Sequence, residues 1–283
     1  MASLRSQYES SAVSQPAQRL LLAAWRTRTE KAYSSTWRNP LSASLDSVLN
    51  FLASQFEAGQ EYRTLNVYRS ALSTTHPQIE GFKVGEHPLV VQLLKGIFNS
   101  HPPTARYTYT WDVSTVTSYL ESLGPNEQLS LKQLSRKLAF LLAITSAERG
   151  SELVAHDLRF KRFHPEGVSF NLPELTKGVR VGKPLQTSFH SSFPENKLLC
   201  PCSCLREYEM RTQAFRPESI SEPNKLFLSV NNPHKPVSSA TLSQVVKKCQ
   251  LEAGIDSQVF KAHSTRGAAT SVALRAGISI PEN

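Results

Sequence analysis

No stretch of this 283-residue chain is apolar enough to cross a membrane. The longest clean hydrophobic run is Leu138–Ile144, against the roughly 20 residues that a bilayer-spanning helix needs. The leading residues, 1–18, are polar and serine-rich, without the apolar core of a secretory signal. The expectation is therefore a nuclear or cytosolic protein without a membrane partner. Cysteine is scarce: Cys200, Cys202, Cys204 and Cys249 are all there are. Three of them alternate as Cys-x-Cys-x-Cys, but no second Cys or His pair lies near to complete a four-ligand zinc site. They read as small, half-buried thiols at a helix start, and a disulfide framework does not suit a reducing compartment. Neither a metal nor a cofactor is expected. No internal repeat is present. Acidic residues are the minority, 23 Asp and Glu against 32 Lys and Arg, leaving a net charge of +9. That balance points moderately toward a polyanionic partner.

What is present is a chain long enough for two domains, 40% hydrophobic and with 17 prolines along its loops. Residues 1–19 are expected to be a disordered tail. From 20 to 100 the pattern is helical: Leu45, Val48, Leu49 and Leu52 recur at three-to-four spacing, and Tyr62–Ser73 and Pro88–Asn99 read the same way. Thr29 is placed to cap a short helix ahead of them. Residues 101–112, with Pro102-Pro103, form a polar linker. Residues 113–283 make a second domain. Its Leu131, Leu134, Leu138, Leu141 and Leu142 predict a core-facing helix. Between Leu158 and Phe189 the character changes. Phe160, Phe163, Val168, Phe170 and Leu172 suggest strands, with turns at Pro165-Glu166-Gly167 and around Gly178–Gly182, hence a small antiparallel sheet. Helices follow at Cys204–Phe215, from Ser239 or Thr241 to Gly254, and at Ser264–Ala276 with Gly277 as C-cap.

Chemistry concentrates in two places. Lys261–Ser271 puts His263 and Arg266 three apart at the start of a helix of small residues, where both share one face. Far upstream, Thr145–Leu153 carries Arg149 with Glu152 at the same spacing. Two arginines and a histidine converging on one point suit a phosphoryl transition state, whose charge spreads over non-bridging oxygens. A helix N-terminus adds its own attraction for an anion. Taken singly, Arg149 would be a surface arginine paired with Glu148 or Glu152, and His263 a structural histidine; it is the combination that carries weight.

That combination resembles the tyrosine recombinase, or phage integrase, family. Its pattern is Arg-x-x-Glu-Leu, a hairpin lysine, His-x-x-Arg, then a His or Trp and a nucleophilic tyrosine. Arg149, Glu152, His263 and Arg266 match, and Lys177 in Thr176-Lys177-Gly178 lies where the hairpin lysine belongs, with Lys183 as an alternative and a solvated turn lysine as the plain reading. The likeness runs from about Trp25 to Asn283. Tyr68–Ser73, His87–Val90, Leu94–Gly96 and Trp111–Val113 look like the branch carried by DIRS-like eukaryotic retroelements, a class of retrotransposon.

The resemblance implies a mainly α architecture: an all-α, SAM-like core-binding domain, then a mostly helical catalytic domain with a small antiparallel sheet, the fold of DNA breaking-rejoining enzymes. It implies duplex DNA as partner, gripped by the first domain, and leaves open a homo-oligomer on that DNA. Arg149 and Arg266 would hold the scissile phosphate, Lys177 would act as general acid, His263 would contact phosphate and Glu152 would support Arg149. In the first domain Arg28, Lys31, Arg63, Thr64, Arg69 and Lys95 are candidate backbone contacts, their alternative being a solvated face. Two departures stand out. The segment through Arg38-Asn39-Pro40-Leu41 is shorter than in the family. Only 17 residues follow Arg266, none of them Tyr, Trp or His, and all eight tyrosines lie at or before Tyr208. The expectation is a chain truncated before the nucleophile, either a fragment of a recombinase or a DNA-binding protein without catalysis; a protein-interaction module is the third reading.

Overall fold

Two hydrophobic cores, divided between Arg106 and Tyr107, organise the chain. The structure is a computed structural model that describes residues 14–23, 43–104, 109–174, 176, 179, 182, 184–219 and 221–277.

In the first unit α1 is Gln15–Ala23, α2 Leu45–Glu57, α3 Tyr62–Thr75 and α4 Pro88–Ser100, with a 3-10 turn at Val84–Glu86. Helix α1 begins inside the stretch expected to be a disordered tail. Pro16 suits a first helical turn because its missing N–H is not needed there, and Leu20–Leu22 follow it. The α2 stripe behaves as its spacing demands: Val48 and Leu52 are fully buried, against Leu65, Leu72, Val90, Leu94 and Ile97 from α3 and α4. Each such leucine contributes about 1.5–3 kcal/mol by leaving water. Helix α2 is opened by the Ser44 hydroxyl, which accepts from Ser47 N–H. Helix α4 is opened by His87 Nδ1, which accepts from Leu89 N–H, with Pro88 in its first turn. The Thr29 cap and the short Arg38–Leu41 segment lie outside the described residues.

The second unit is mainly helical with one three-stranded sheet. Helix α5 is Val113–Ser122, α6 Leu131–Ser146 and α7 Gly150–Leu153; β1 is Lys161–His164, β2 Gly167–Asn171 and β3 Thr187–Ser191; α8 is Pro201–Thr212, α9 Ser239–Glu252 and α10 Ser264–Arg275. Helix α6 is the centre. A reciprocal cap starts it, Gln133 N–H to the Ser130 hydroxyl and Ser130 N–H to the Gln133 side chain. Its Leu134, Leu138, Leu141 and Leu142 are buried, and α8, α9, α10 and β3 all pack on it. Lys137 is buried among them, its ammonium donating to the Gly124 carbonyl. The helix boundaries expected near Ser239, Gly254, Ser264 and Gly277 fall within a residue or two of those observed, with Gly254 and Gly277 at positive φ.

The sheet has order β1-β2-β3, antiparallel throughout, and the Pro165-Glu166 turn joins its first two strands. Phe160, expected in a strand, closes the 3-10 turn Leu158–Phe160 instead, where Asp157 accepts from Arg159 N–H and ends the extended run before it starts. Gly167 explains itself by proximity: a Cβ there would lie 2.2 Å from the His190 carbonyl oxygen across the sheet. Backbone cannot yield that distance cheaply. Gly167→Ala is expected to destabilise by about 2–3 kcal/mol, lowering Tm by roughly 5–10 °C; an unchanged melting curve would show that the strands can part.

Candidate nucleic-acid interface

The Arg149 motif is built on a sharp helix end. Helix α6 stops at Ala147, whose φ of 52° and ψ of 27° place a non-glycine residue in the left-handed region. The chain then reverses, so that Glu148 turns inward and is buried while Arg149, its side chain 39% exposed, faces out. Arg149 opens α7, and Glu152 serves it twice. One carboxylate oxygen accepts from the Arg149 backbone N–H at 2.8 Å, the other from Nη1 at 2.8 Å. Glu152 is only 3% exposed. A buried carboxylate holding one edge of a half-exposed guanidinium fixes its direction and leaves the outer edge without a hydrogen-bond partner among the described residues. The contact joins residues at i, i+3 on one short helix.

The His263 motif is positioned from below. Helix α10 starts at Ser264, with His263 exposed at its N-terminal boundary and Arg266 partly exposed one turn on. Ser264 and Thr265 point into the core, where Trp111 Nε1 donates to Ser264 Oγ at 2.9 Å and Gln250 Nε2 donates to Thr265 Oγ1 at 3.1 Å. Ala268 is fully buried, and its small side chain lets α10 lie close on α6. The Arg266 guanidinium has no hydrogen bond or ion pair with any described residue.

Helix α9 supports both motifs. Gly150, directly after Arg149, approaches it so closely that a Cβ would sit 3.1 Å from Ser243 Oγ. Gln250, on the same helix, holds Ser264 and Thr265. Seven residues of helix separate Ser243 from Gln250, a rise of about 10 Å. The segments bearing the two arginines thus rest on one helix, about two turns apart.

Other predicted residues fare differently. Lys177 and Lys183 lie outside the described residues, as do Arg28 and Lys31. In the first unit Arg63 and Lys95 are exposed and Thr64 is half-buried. Arg69 has internal work: its Nε donates to the Gly85 carbonyl at 2.7 Å, holding the 3-10 turn against α3 where a Gly85 Cβ would meet Ser73 Cβ at 2.8 Å. The four cysteines are buried and unpaired in disulfides. Sequence reading gave no structural task to Trp111, Gln250, His156 or His190, and one signal was available: His156 and His190 flank the strand-rich segment. His190 is fully buried, and burial pushes its imidazole down to about 3, helped by His156 and opposed by Glu148.

No protein-family model and no curated protein matches this sequence. Solved structures do match in shape, and the class they define is the tyrosine recombinase fold, mainly helical with a small antiparallel sheet. A Tn1549 transposon integrase in complex with transposon right end DNA aligns over 98% of this chain and 87% of its own, with a TM-score of 0.60 and 13% identity. The same integrase with circular intermediate DNA gives 0.53 at 14% identity over the same shares. The XerH site-specific recombinase bound to difH substrate, in a pre-cleavage complex, gives 0.54 at 12% identity over 83% of this chain and 60% of that one.

Proposed function

We propose that this chain binds duplex DNA as a tyrosine recombinase-type protein, gripping one phosphate with Arg149, His263 and Arg266, and that as a polypeptide of 283 residues it does so without cleaving. The observation that carries the reading is the shared footing on α9: both arginine-bearing elements sit on one helix, and both guanidinium groups keep donor edges that no described residue uses. The Tn1549 integrase and XerH structures that share this fold are complexes with DNA, which supports the same reading. Lys177 is assigned the general-acid position on the hairpin, Glu152 the support of Arg149, and Arg63, Thr64 and Lys95, with Arg28 and Lys31, contacts to the phosphate backbone; Arg69 would contribute only through donors other than Nε. DNA integration and recombination by the DIRS-like retroelement branch, in the nucleus, is the finer assignment, supported by the sequence segments that resemble it; assembly of several copies on DNA belongs to it.

The test is duplex binding at low salt, followed by fluorescence anisotropy, with Arg149→Ala, Arg266→Ala and the double variant. A charge-assisted hydrogen bond to phosphate is worth about 1.5–3 kcal/mol, so each single change is expected to weaken binding roughly ten- to a hundredfold. Unaltered affinity in a folded double variant would refute the shared phosphate site. Loss of the same magnitude in the double as in either single variant would instead mark the pair as one cooperative unit.

A further inference from the structure

We propose that Glu148, His156 and His190 form a buried site for one divalent transition-metal ion of the zinc class, which ties the turn bearing Arg149 to the sheet. The three residues come from separate elements: Glu148 from the reversal after α6, His156 from the segment after α7, His190 from β3. Their ligand atoms all lie within 4.8 Å of one another. Glu148 Oε2 is 3.1 Å from His156 Nε2 and 3.9 Å from His190 Nε2. A tetrahedral zinc ion with bonds of about 2.0–2.1 Å needs its ligand atoms roughly 3.3–3.4 Å apart. The observed edges bracket that value, so small side-chain movements would close the site.

The second observation is unmet bonding. Both Glu148 oxygens and both His156 nitrogens are buried without a hydrogen-bond partner among the described residues. Glu148 Oε2 approaches His156 Nε2 at 3.1 Å, an ion-pair distance. Each buried polar atom left unpaired costs about 1–3 kcal/mol; His156 Nδ1 faces away across its ring, but the Glu148 carboxylate and His156 Nε2 can share a common partner. A metal ion supplies it by accepting lone pairs from carboxylate and imidazole together. The surroundings fit such a ligand set. His156 lies flat on the Phe170 ring, 4.4 Å between centroids at 4°, which fixes its plane. His190 Nδ1 is 3.3 Å from Thr145 Oγ1, the outer hydrogen bond that metal-bound histidines ordinarily make through their second nitrogen. The Ser188 hydroxyl, 2.9 Å from His190 Nε2, must turn away from that nitrogen or join the ion's shell. Both histidines are fully buried, so the role is structural, with no path for a substrate. The inference stands on this geometry alone and does not depend on DNA binding.

The experiment uses the full chain, stripped with chelator and titrated with Co(II), then with Zn(II) in competition. Expected are one tight equivalent, a visible Co(II) spectrum of low-symmetry four- or five-coordination without the near-ultraviolet band of thiolate ligands, and displacement by Zn(II). A hundredfold excess of free Zn(II) over its Kd should raise Tm by roughly 5–10 °C. His156→Asn and His190→Asn should abolish the tight equivalent, whereas His164→Asn, on the exposed sheet surface, should keep it. Should the histidine variants fail to fold, the wild-type spectrum still decides. Absence of a tight equivalent, a thiolate band, or retention of the ion in a His156→Asn/His190→Asn double variant would each overturn the site.

Discussion

A nicked suicide duplex incubated with the 283-residue polypeptide is expected to yield no covalent protein–DNA adduct that survives denaturation. Binding phosphate requires only donors; breaking the strand requires an attacking oxygen opposite the leaving group. The described tyrosines of the second unit are poorly suited to attack. Tyr208 is 1% exposed, and its hydroxyl oxygen accepts from Leu228 N–H. Tyr119 donates to Glu252, and burial, followed by that carboxylate, pushes its phenol up to about 12. Tyr109 is the exposed one, its ring edge-on to Phe260. An adduct mapping to any of the eight tyrosines, with Tyr109→Phe as the most informative control, would overturn the expectation. Appending a segment with a family-like Trp and Tyr should create the adduct if Arg149, Lys177, His263 and Arg266 form a working site. Failure of that extended protein, while it still bound duplex, would place the fault in the site's geometry rather than in the supply of a nucleophile.

Affinity for duplex DNA is expected to be weak, largely indifferent to sequence and steeply sensitive to salt. Each phosphate neutralised by Lys or Arg releases condensed counterion, so log affinity should fall with log salt by about 0.9 per contact. With about six contacts, raising salt from 50 to 200 mM should cost roughly a thousandfold. The slope is the more telling quantity, since it counts charges and not stability. Removing Arg63 or Lys95 should each reduce it by about one, while Arg69, already bound to the Gly85 carbonyl, should reduce it less. No measurable affinity at the lowest salt would sink the DNA-binding reading outright. A slope near zero would show that whatever binds is not held through phosphate.

Sequence patterning reached the elements whose periodicity serves a core. The α6 stripe, the α2 stripe and the glycine stops at Gly254 and Gly277 were legible because burial and backbone strain act locally on recognisable residues. The pairing of Arg149 with Glu152 was legible for the same reason, as an i, i+3 contact. The support of α10 was not. Trp111 and Gln250 meet Ser264 and Thr265 only because tertiary packing brings distant segments together, and neither has a local partner that would announce it. Phe160 misled because an aromatic in a strand-rich stretch looks like a strand residue, whereas the Asp157 side chain had already turned the backbone. The Glu148, His156 and His190 cluster escaped for a related reason: its members have none of the short spacing by which metal ligands are usually noticed.

The hydrogen bond from Trp111 to Ser264 joins residues 153 positions apart, and that separation has a consequence in time. At synthesis rates of about 5–20 residues per second, Trp111 leaves the ribosome roughly 8–30 s before its acceptor is made. Through that interval α6, which waits for α10 to cover one of its sides, presents apolar surface to the cell. The second unit is thus expected to complete its fold late and in one step, with chaperone dependence in the nascent chain that the finished protein does not share.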